Sequence, residues 1–264
     1  MLLKIEGRSV DAQCGESLLY LVRKLGLDST DLRTRPLAAN VAGETFTLNY
    51  VPVREREGKS VPRAMLRRAV RAANGEVTLL RYDSARGNRV YERTMLFVFL
   101  LAMRKLYPKT RVRINYAVGA GLYASVGDNM RLTEPEVLAV KREMRRIVKA
   151  DLTLERKRID VDDAIDFFSC DGQEDKVRLL RWRQFSYFDV YRQEDYVDYF
   201  YGEMAPSTGY ANVFDLQALP TGLFLIRPSA KDPNVPAKHV YMPHLAGVFS
   251  ESEEWGRLMH CTVV

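Results

Sequence analysis

Apolar and polar positions alternate in 2-LLKIEG-7 and 8-RSVDAQC-14, which predicts two strands meeting at Gly7. Leu18, Leu19, Leu21, Val22 and Leu25 then share one helical face between Glu16 and Gly26, with Gly26 placed to end the helix. Two further strands, 37-LAANVAG-43 and 44-ETFTLNY-50, join at Gly43. After a basic stretch, 76-EVTLLRY-82 has strand composition and completes the same small sheet.

These first segments have a β-grasp pattern, and from Val90 the character changes. Residues 91–106 predict a strong helix that ends before Pro108. The run 110-TRVRINY-116 alternates like a strand, and 119-GAGLYASVG-127 is glycine-rich. In 133-TEPE-136, Thr133 as N-cap and Glu136 three residues on form a capping box that opens a helix to about Ala150. Residues 153–160 alternate, Asp160 to Phe168 predict a short helix with an acidic start, and 174–182 another. The runs 186–192, 196–202 and 223–228 read as strands. Helices and strands mixed without βαβ regularity place the chain in the α+β class. We divide it into 1–84, a β-grasp domain with a basic helical insertion at 54–75, and 88–264, a larger α+β domain.

Charge sharpens this picture at one place. The chain carries +6, and 54-REREGKSVPRAMLRRAVRAAN-74 holds seven Lys/Arg against two Glu, so most of the excess is local. Ser60 fits an N-cap, Pro62 a first helical turn, and Asn74-Gly75 a stop. Arg63, Arg67 and Arg71 fall four apart as one stripe, with Met65, Ala69, Ala72 and Ala73 as a thin apolar side. Such a stripe matches successive phosphates of RNA, and it matches a solvated helix face equally. No apolar run reaches the length of a membrane span, so a membrane is not a partner. Cys14, Cys170 and Cys261 are scattered, which suggests reduced thiols and a cytoplasmic setting.

Most catalytic chemistries lack their residues. There is no GxxxxGK[ST] phosphate loop and no GxSxG, and the GAG at Gly119–Gly121 reads as a tight turn. His239, His244 and His260 all come late, and His239 and His244, five apart around Pro243, have no Cys or acidic partner at ligand spacing. Asp162, Asp163 and Asp166 suit a helix N-terminus. The aromatic series Tyr187, Phe188, Tyr191, Tyr196, Tyr199, Phe200 and Tyr201 fits base stacking and a buried two-sided sheet alike.

Longer runs carry a resemblance. Residues 1–26 with 37–50 resemble a TGS domain, the ubiquitin-like β-grasp module of threonyl-tRNA synthetases. Residues 91–126, 163-DAIDFFSCDGQEDKV-177 and 196-YVDYFYGEMAP-206 are similar to successive motifs of that family's second additional, or editing, domain. The last of these resembles YVDxCxGxHxP. In this resemblance the two helix histidines of the editing site fall on Arg93 and Phe97, and the cysteine and histidine of the last motif on Phe200 and Met204. A guanidinium, two phenyl rings and a thioether do not supply the imidazole or thiolate donors of a zinc site. Metal-assisted deacylation is therefore not expected, and neither a catalytic nor a metal residue is assigned. Tyr123, Lys176 and Asp198 match pocket positions, so the resemblance implies a cleft with one apolar wall and Arg93 available to an anion.

The runs QEDKxRLL, YFxxYR and DYFYGxMxPSTGY at 173–180, 187–192 and 198–210 resemble uridine-kinase-like nucleoside kinases of the phosphoribulokinase/uridine kinase family. That resemblance implies a non-catalytic ligand-sensing or substrate-presenting region ahead of a kinase domain. ATP and magnesium would be cofactors of that following domain, with none in these residues. The competing expectation is an RNA- or tRNA-binding adapter that uses the basic helix and the degenerate cleft. A nucleotide or a tRNA-like RNA is the corresponding partner.

Overall fold

The computed structural model of the chain describes residues 1–56, 59–127, 130–194, 196–219 and 222–238, with short helical pieces between 247 and 259. His239, His244, His260 and Cys261 lie outside the described residues. The architecture is mixed α+β, as the pattern predicts.

Strands β1 (Leu2–Ile5), β2 (Arg8–Asp11), β3 (Ala38–Val41) and β4 (Glu44–Thr47) join a late strand in a five-stranded sheet. The late strand, Glu76–Leu80, pairs parallel to β1 and antiparallel to β3. Helix α1 (Leu18–Lys24) covers the sheet with Leu18, Leu21 and Val22. Ser17 caps α1, its hydroxyl accepting from the Tyr20 backbone N–H at 3.2 Å. This is the β-grasp arrangement read from the alternation.

The basic stretch differs from its prediction. Strands β5 (Val53–Arg56) and β6 (Lys59–Pro62) form a separate hairpin, and α2 (Ala64–Ala72) begins only after it. Ser60 and Pro62 thus lie in a strand and do not open the helix. Val61 precedes a proline, which disfavours helical dihedrals there and delays the start. The buried side of α2 is Leu66, Ala69 and Val70, while Met65 is exposed. Positions 66, 69, 70 and 73 form the true i, i+3, i+4, i+7 stripe. The late strand Glu76–Leu80 is β7 in chain order.

The larger half is built on α3 (Ala85–Leu106), which starts six residues before the predicted helix. Its first turns are polar and carry no periodic signal; Ser84 begins them by accepting from the Gly87 N–H at 3.0 Å. A Cβ at Gly87 would stand 1.8 Å from the Arg81 carbonyl oxygen, so this close approach requires glycine. Beside α3 lie α4 (Glu134–Ala150) and a four-stranded sheet. At the start of α4 the Thr133 N–H donates to Glu136 at 2.7 Å, as the capping box requires. The sheet runs β13 (Asp215–Leu219), β14 (Gly222–Ile226), β9 (Gly121–Val126) and β8 (Val112–Val118). The glycine-rich stretch therefore contains a strand after its tight turn; β9 is buried at every residue, which removes the alternation.

A three-stranded antiparallel sheet, β10 (Arg156–Asp160), β11 (Tyr187–Gln193) and β12 (Tyr196–Asp198), carries α5 (Val161–Cys170) and α6 (Glu174–Arg181). β12 stops at Asp198, short of the predicted Gly202, because the Asp198 carboxylate accepts the Tyr199 N–H at 2.8 Å and takes it from the ladder.

From Met204 to Val213 the chain runs largely outside any sheet; the Leu154 N–H and the Leu152 carbonyl pair with Pro206 and Thr208 at 2.9 Å each, and side chains satisfy much of the rest. Met204 N–H donates to the Tyr191 hydroxyl (3.1 Å) and Ala205 N–H to the Thr94 hydroxyl (2.9 Å). The Pro206 carbonyl accepts from Asn49 of the β-grasp half at 2.7 Å. Tyr91 closes the series, its hydroxyl donating to the Val213 carbonyl (2.8 Å) and accepting from the Val213 N–H (2.9 Å). Tyr91→Phe leaves both buried groups of Val213 unpaired, and we expect a loss of about 2 kcal/mol in urea unfolding; an unchanged midpoint would show the pair to be dispensable.

Candidate functional site

The four residues that replace the zinc donors do come together. Phe97 on α3 faces Phe200 at 6.1 Å between ring centroids, edge on, and its ring also meets Tyr196 at 5.6 Å. Met204 shares the same core cluster. Arg93, one helical turn before Phe97, donates to the Glu203 carbonyl at 3.3 Å. Its guanidinium lies under Gly202, where a Cβ would come within 2.9 Å. Burial holds the Arg93 pKa below the ordinary guanidinium value.

The cleft that the resemblance implies is filled at this point. Phe97 is 0% and Met204 1% exposed, so neither presents a surface to a ligand. Three aromatic rings and a thioether close on one another where a metal and its water would need space. The donor set does not fit zinc, since none of the four side chains is an imidazole, thiolate or carboxylate. Among the described residues no group of three His, Cys, Asp or Glu is placed to hold a metal ion.

The polar candidates separate into two places. Lys176 on α6 donates to Asp198 at 2.5 Å, and Asp198 accepts in addition from the Tyr196 hydroxyl at 2.6 Å. Asp198 is buried, and Lys176 also rests 5.0 Å from the Phe168 ring and 5.6 Å from that of Tyr199. The carboxylate is thus surrounded by donors that neutralise it, an arrangement that fastens α6 to the edge of the small sheet. Tyr123 is elsewhere. It stacks on Tyr116 at 4.9 Å and meets Phe224 at 5.9 Å in a cluster of the four-stranded sheet.

The arginines of α2 remain on the outside. Arg67, Arg68 and Arg71 are exposed and make no ion pair among the described residues. Arg63 stands at the N-cap with its guanidinium 4.6 Å from the Tyr50 ring, which anchors it by a cation–π contact. A cavity of about 560 Å³ opens near the start of α3, lined by Tyr82, Asp83, Asn88, Arg89, Glu92 and Arg227. Nothing in the alternation marks it. Arg227 is held there by Glu92 at 2.7 Å and by the Gly119 carbonyl at 2.7 Å. Among the described residues no helix is long and apolar enough to cross a membrane.

No protein-family model matches the chain. Comparison with curated proteins does find relatives. The chain is similar to part of threonine–tRNA ligases. It is 31% identical over 144 residues to the Carboxydothermus hydrogenoformans enzyme, covering 54% of this chain and 23% of that one. It is 26% identical over 215 residues to the Clostridium kluyveri enzyme, covering 81% of this chain and 30% of that one. The Acidithiobacillus ferrooxidans enzyme is 31% identical over 150 residues, 56% of this chain and 23% of its own length. The chain thus spans about a quarter of the length of the relatives it matches. They agree with a TGS- and editing-like region and give no support to a nucleoside-kinase parent.

Residue types alone did not single out the partners that bind these positions. Thr94 and Tyr191 act through hydroxyls that accept from the Ala205 and Met204 N–H groups, 111 and 13 positions on, and Tyr196 donates to Asp198 of its own strand. Burial first, then the neighbouring Asp198 charge, pushes the Tyr196 hydroxyl well above the usual phenol range. Its folded pKa exceeds its unfolded one, so stability is intact below about pH 10 and falls as pH rises beyond it. Buried Tyr91 and Tyr191 are shifted in the same direction. Urea unfolding across alkaline pH should therefore show a decline that is shallower in Tyr196→Phe; an identical slope in the variant contradicts the assignment.

Proposed function

We propose that this chain is an RNA-binding module that holds tRNA or a tRNA-like RNA through the exposed arginines of α2. The observation that carries the reading is an unpaired basic surface on a chain similar to tRNA ligases. Arg67, Arg68 and Arg71 project from a helix whose other side is fixed by Leu66, Ala69 and Val70. A guanidinium without a carboxylate partner is free to take phosphate, and several on one rigid helix contact successive phosphates. The preceding hairpin β5–β6 adds a further exposed arginine, Arg54. The sequence offered the cleft as a contact as well; the burial of Phe97 and Met204 is a reason to propose the outer surface instead.

The sensing role beside a nucleoside kinase rests on the runs at 173–180, 187–192 and 198–210 alone. In the structure the last run supplies core contacts and backbone hydrogen bonds, through Phe200, Met204 and Thr208. The relatives and the arginine surface favour RNA.

Binding of unfractionated tRNA, followed by fluorescence anisotropy, tests the reading. Affinity should fall steeply with salt, and the double variant Arg67→Ala/Arg71→Ala should bind about tenfold or more weakly, with the log–log salt slope reduced by about 1 per arginine. Both residues are exposed, so the fold is retained in the variant. Binding that ignores salt and both substitutions overturns it.

A further inference from the structure

A second surface, on the opposite kind of scaffold, combines exposed rings with unpaired arginines. Where α6 ends, 178-RLLRWRQFSY-187 carries three arginines, three aromatic residues and no acid. Trp182 follows the last helical residue and is 88% exposed, and Phe185 is 62% exposed. For rings this large, exposure of that degree forfeits a substantial hydrophobic stabilisation, and two of them adjoin. Phe185 and Tyr187 lie 6.0 Å apart between centroids, tilted by 43°. Arg158 covers Tyr187 at 3.9 Å and is itself paired with Asp189 at 2.9 Å.

Arg183 supplies the independent observation. Its guanidinium lies 4.9 Å from the Phe188 ring and 5.8 Å from that of Phe185. Its Nε is buried and has no hydrogen-bond partner among the described residues. The buried Nε therefore finds no compensating acceptor among the described residues, and no ion pair there neutralises the Arg183 guanidinium. Arg178 and Arg181 are exposed and likewise make no ion pair among the described residues. Asp160 and Asp162 bound the patch at its Tyr187 end, where Asp160 caps α5 by accepting from the Asp162 N–H at 3.0 Å.

We infer that the 178–187 surface binds single-stranded nucleic acid, with bases stacked on Trp182 and Phe185 and a phosphate held by Arg183. Flat faces that protrude from a positive surface suit unpaired bases, whereas bases inside a duplex are covered by their neighbours. The positive charge selects a polyanion over an uncharged apolar partner. This inference rests on the RNA-binding reading for its choice of partner, and adds to it a contact that requires an unpaired strand.

Trp255→Phe leaves Trp182 as the single tryptophan, since the chain has two. That variant is titrated with an oligouridylate of about 12 nucleotides and with a blunt RNA duplex of the same length. The oligouridylate should quench Trp182 emission and the duplex should not. Trp182→Ala/Phe185→Ala should weaken oligouridylate binding about tenfold or more, and Arg183→Gln should lower its salt dependence. Equal affinity in the double variant, or binding without quenching, overturns the inference. Sedimentation of the free chain is the second check: a dimer that the double variant converts to monomer makes the patch a contact between copies, which also overturns it. Because quenching reads Trp182 directly, tRNA binding insensitive to Arg67 and Arg71 would sink the α2 reading alone.

Discussion

The larger half of the molecule depends on satisfying a stretch of backbone that pairs with a neighbouring segment only at one isolated bridge, Thr153 to Ser207. Buried N–H and C=O groups require partners, and in a sheet the next strand provides them. From Met204 to Val213 the backbone of 152–154 supplies part of the partners, through Leu154 N–H to the Pro206 carbonyl and Thr208 N–H to the Leu152 carbonyl. Side chains supply the rest: Tyr191 and Thr94 take the first two amides, Asn49 also reaches the Pro206 carbonyl, and Tyr91 brackets Val213. Thr208 adds a bond from its hydroxyl to the Ile147 carbonyl at the end of α4 at 2.9 Å. One segment therefore ties α3, α4, the small sheet and the β-grasp half together. Each side-chain tie is a single polar group in an apolar setting, where losing one partner exposes the full desolvation penalty of the other.

That lacing determines what the neighbouring positions do. With Met204 held to β11 by Tyr191 and Ala205 held to α3 by Thr94, Phe97 and Met204 enter one core cluster with Phe200 packed against it. Their packing replaces coordination chemistry with hydrophobic burial, and Arg93 spends its charge on a carbonyl under Gly202. Lys176 and Asp198 do the same in polar form, each satisfying the other inside the fold. Unpaired positive charge lies on the outside, and the arginines of α2 and of the ring-and-arginine patch after α6 are among it.

Much of this was legible in the chain. The alternation in Leu2–Asp11 and 37–50, the apolar face around Leu21, and the Thr133/Glu136 box each state a local preference that the tertiary structure keeps. Other elements were hidden for physical reasons. β9 is buried on both faces and has no alternation to detect, and α3 begins with polar turns that belong to no apolar stripe. The β5–β6 hairpin is short and polar, and Val61 before Pro62 was the one sign that the helix starts late. The side-chain bonds to the extended segment join residues as far apart as Tyr91 and Val213, 122 positions, which no local pattern encodes. Whether substituted donors leave a cleft or fill it depends on ring packing in three dimensions. The run after α6 looked like the end of a helix and the start of a strand; only its exposure sets Trp182 apart.

The central proposal is that RNA meets the outer surface and not the buried cluster of Phe97, Phe200 and Met204. Hydroxyl-radical footprinting of side chains, with and without bound tRNA, tests it most directly. Met65 on α2, 59% exposed, and Trp182 report the two outer surfaces, while half-buried Phe200 reports the filled site. The account predicts protection of Met65 and Trp182 with Phe200 unchanged. Protection of Phe200 with Met65 still fully reactive would contradict it.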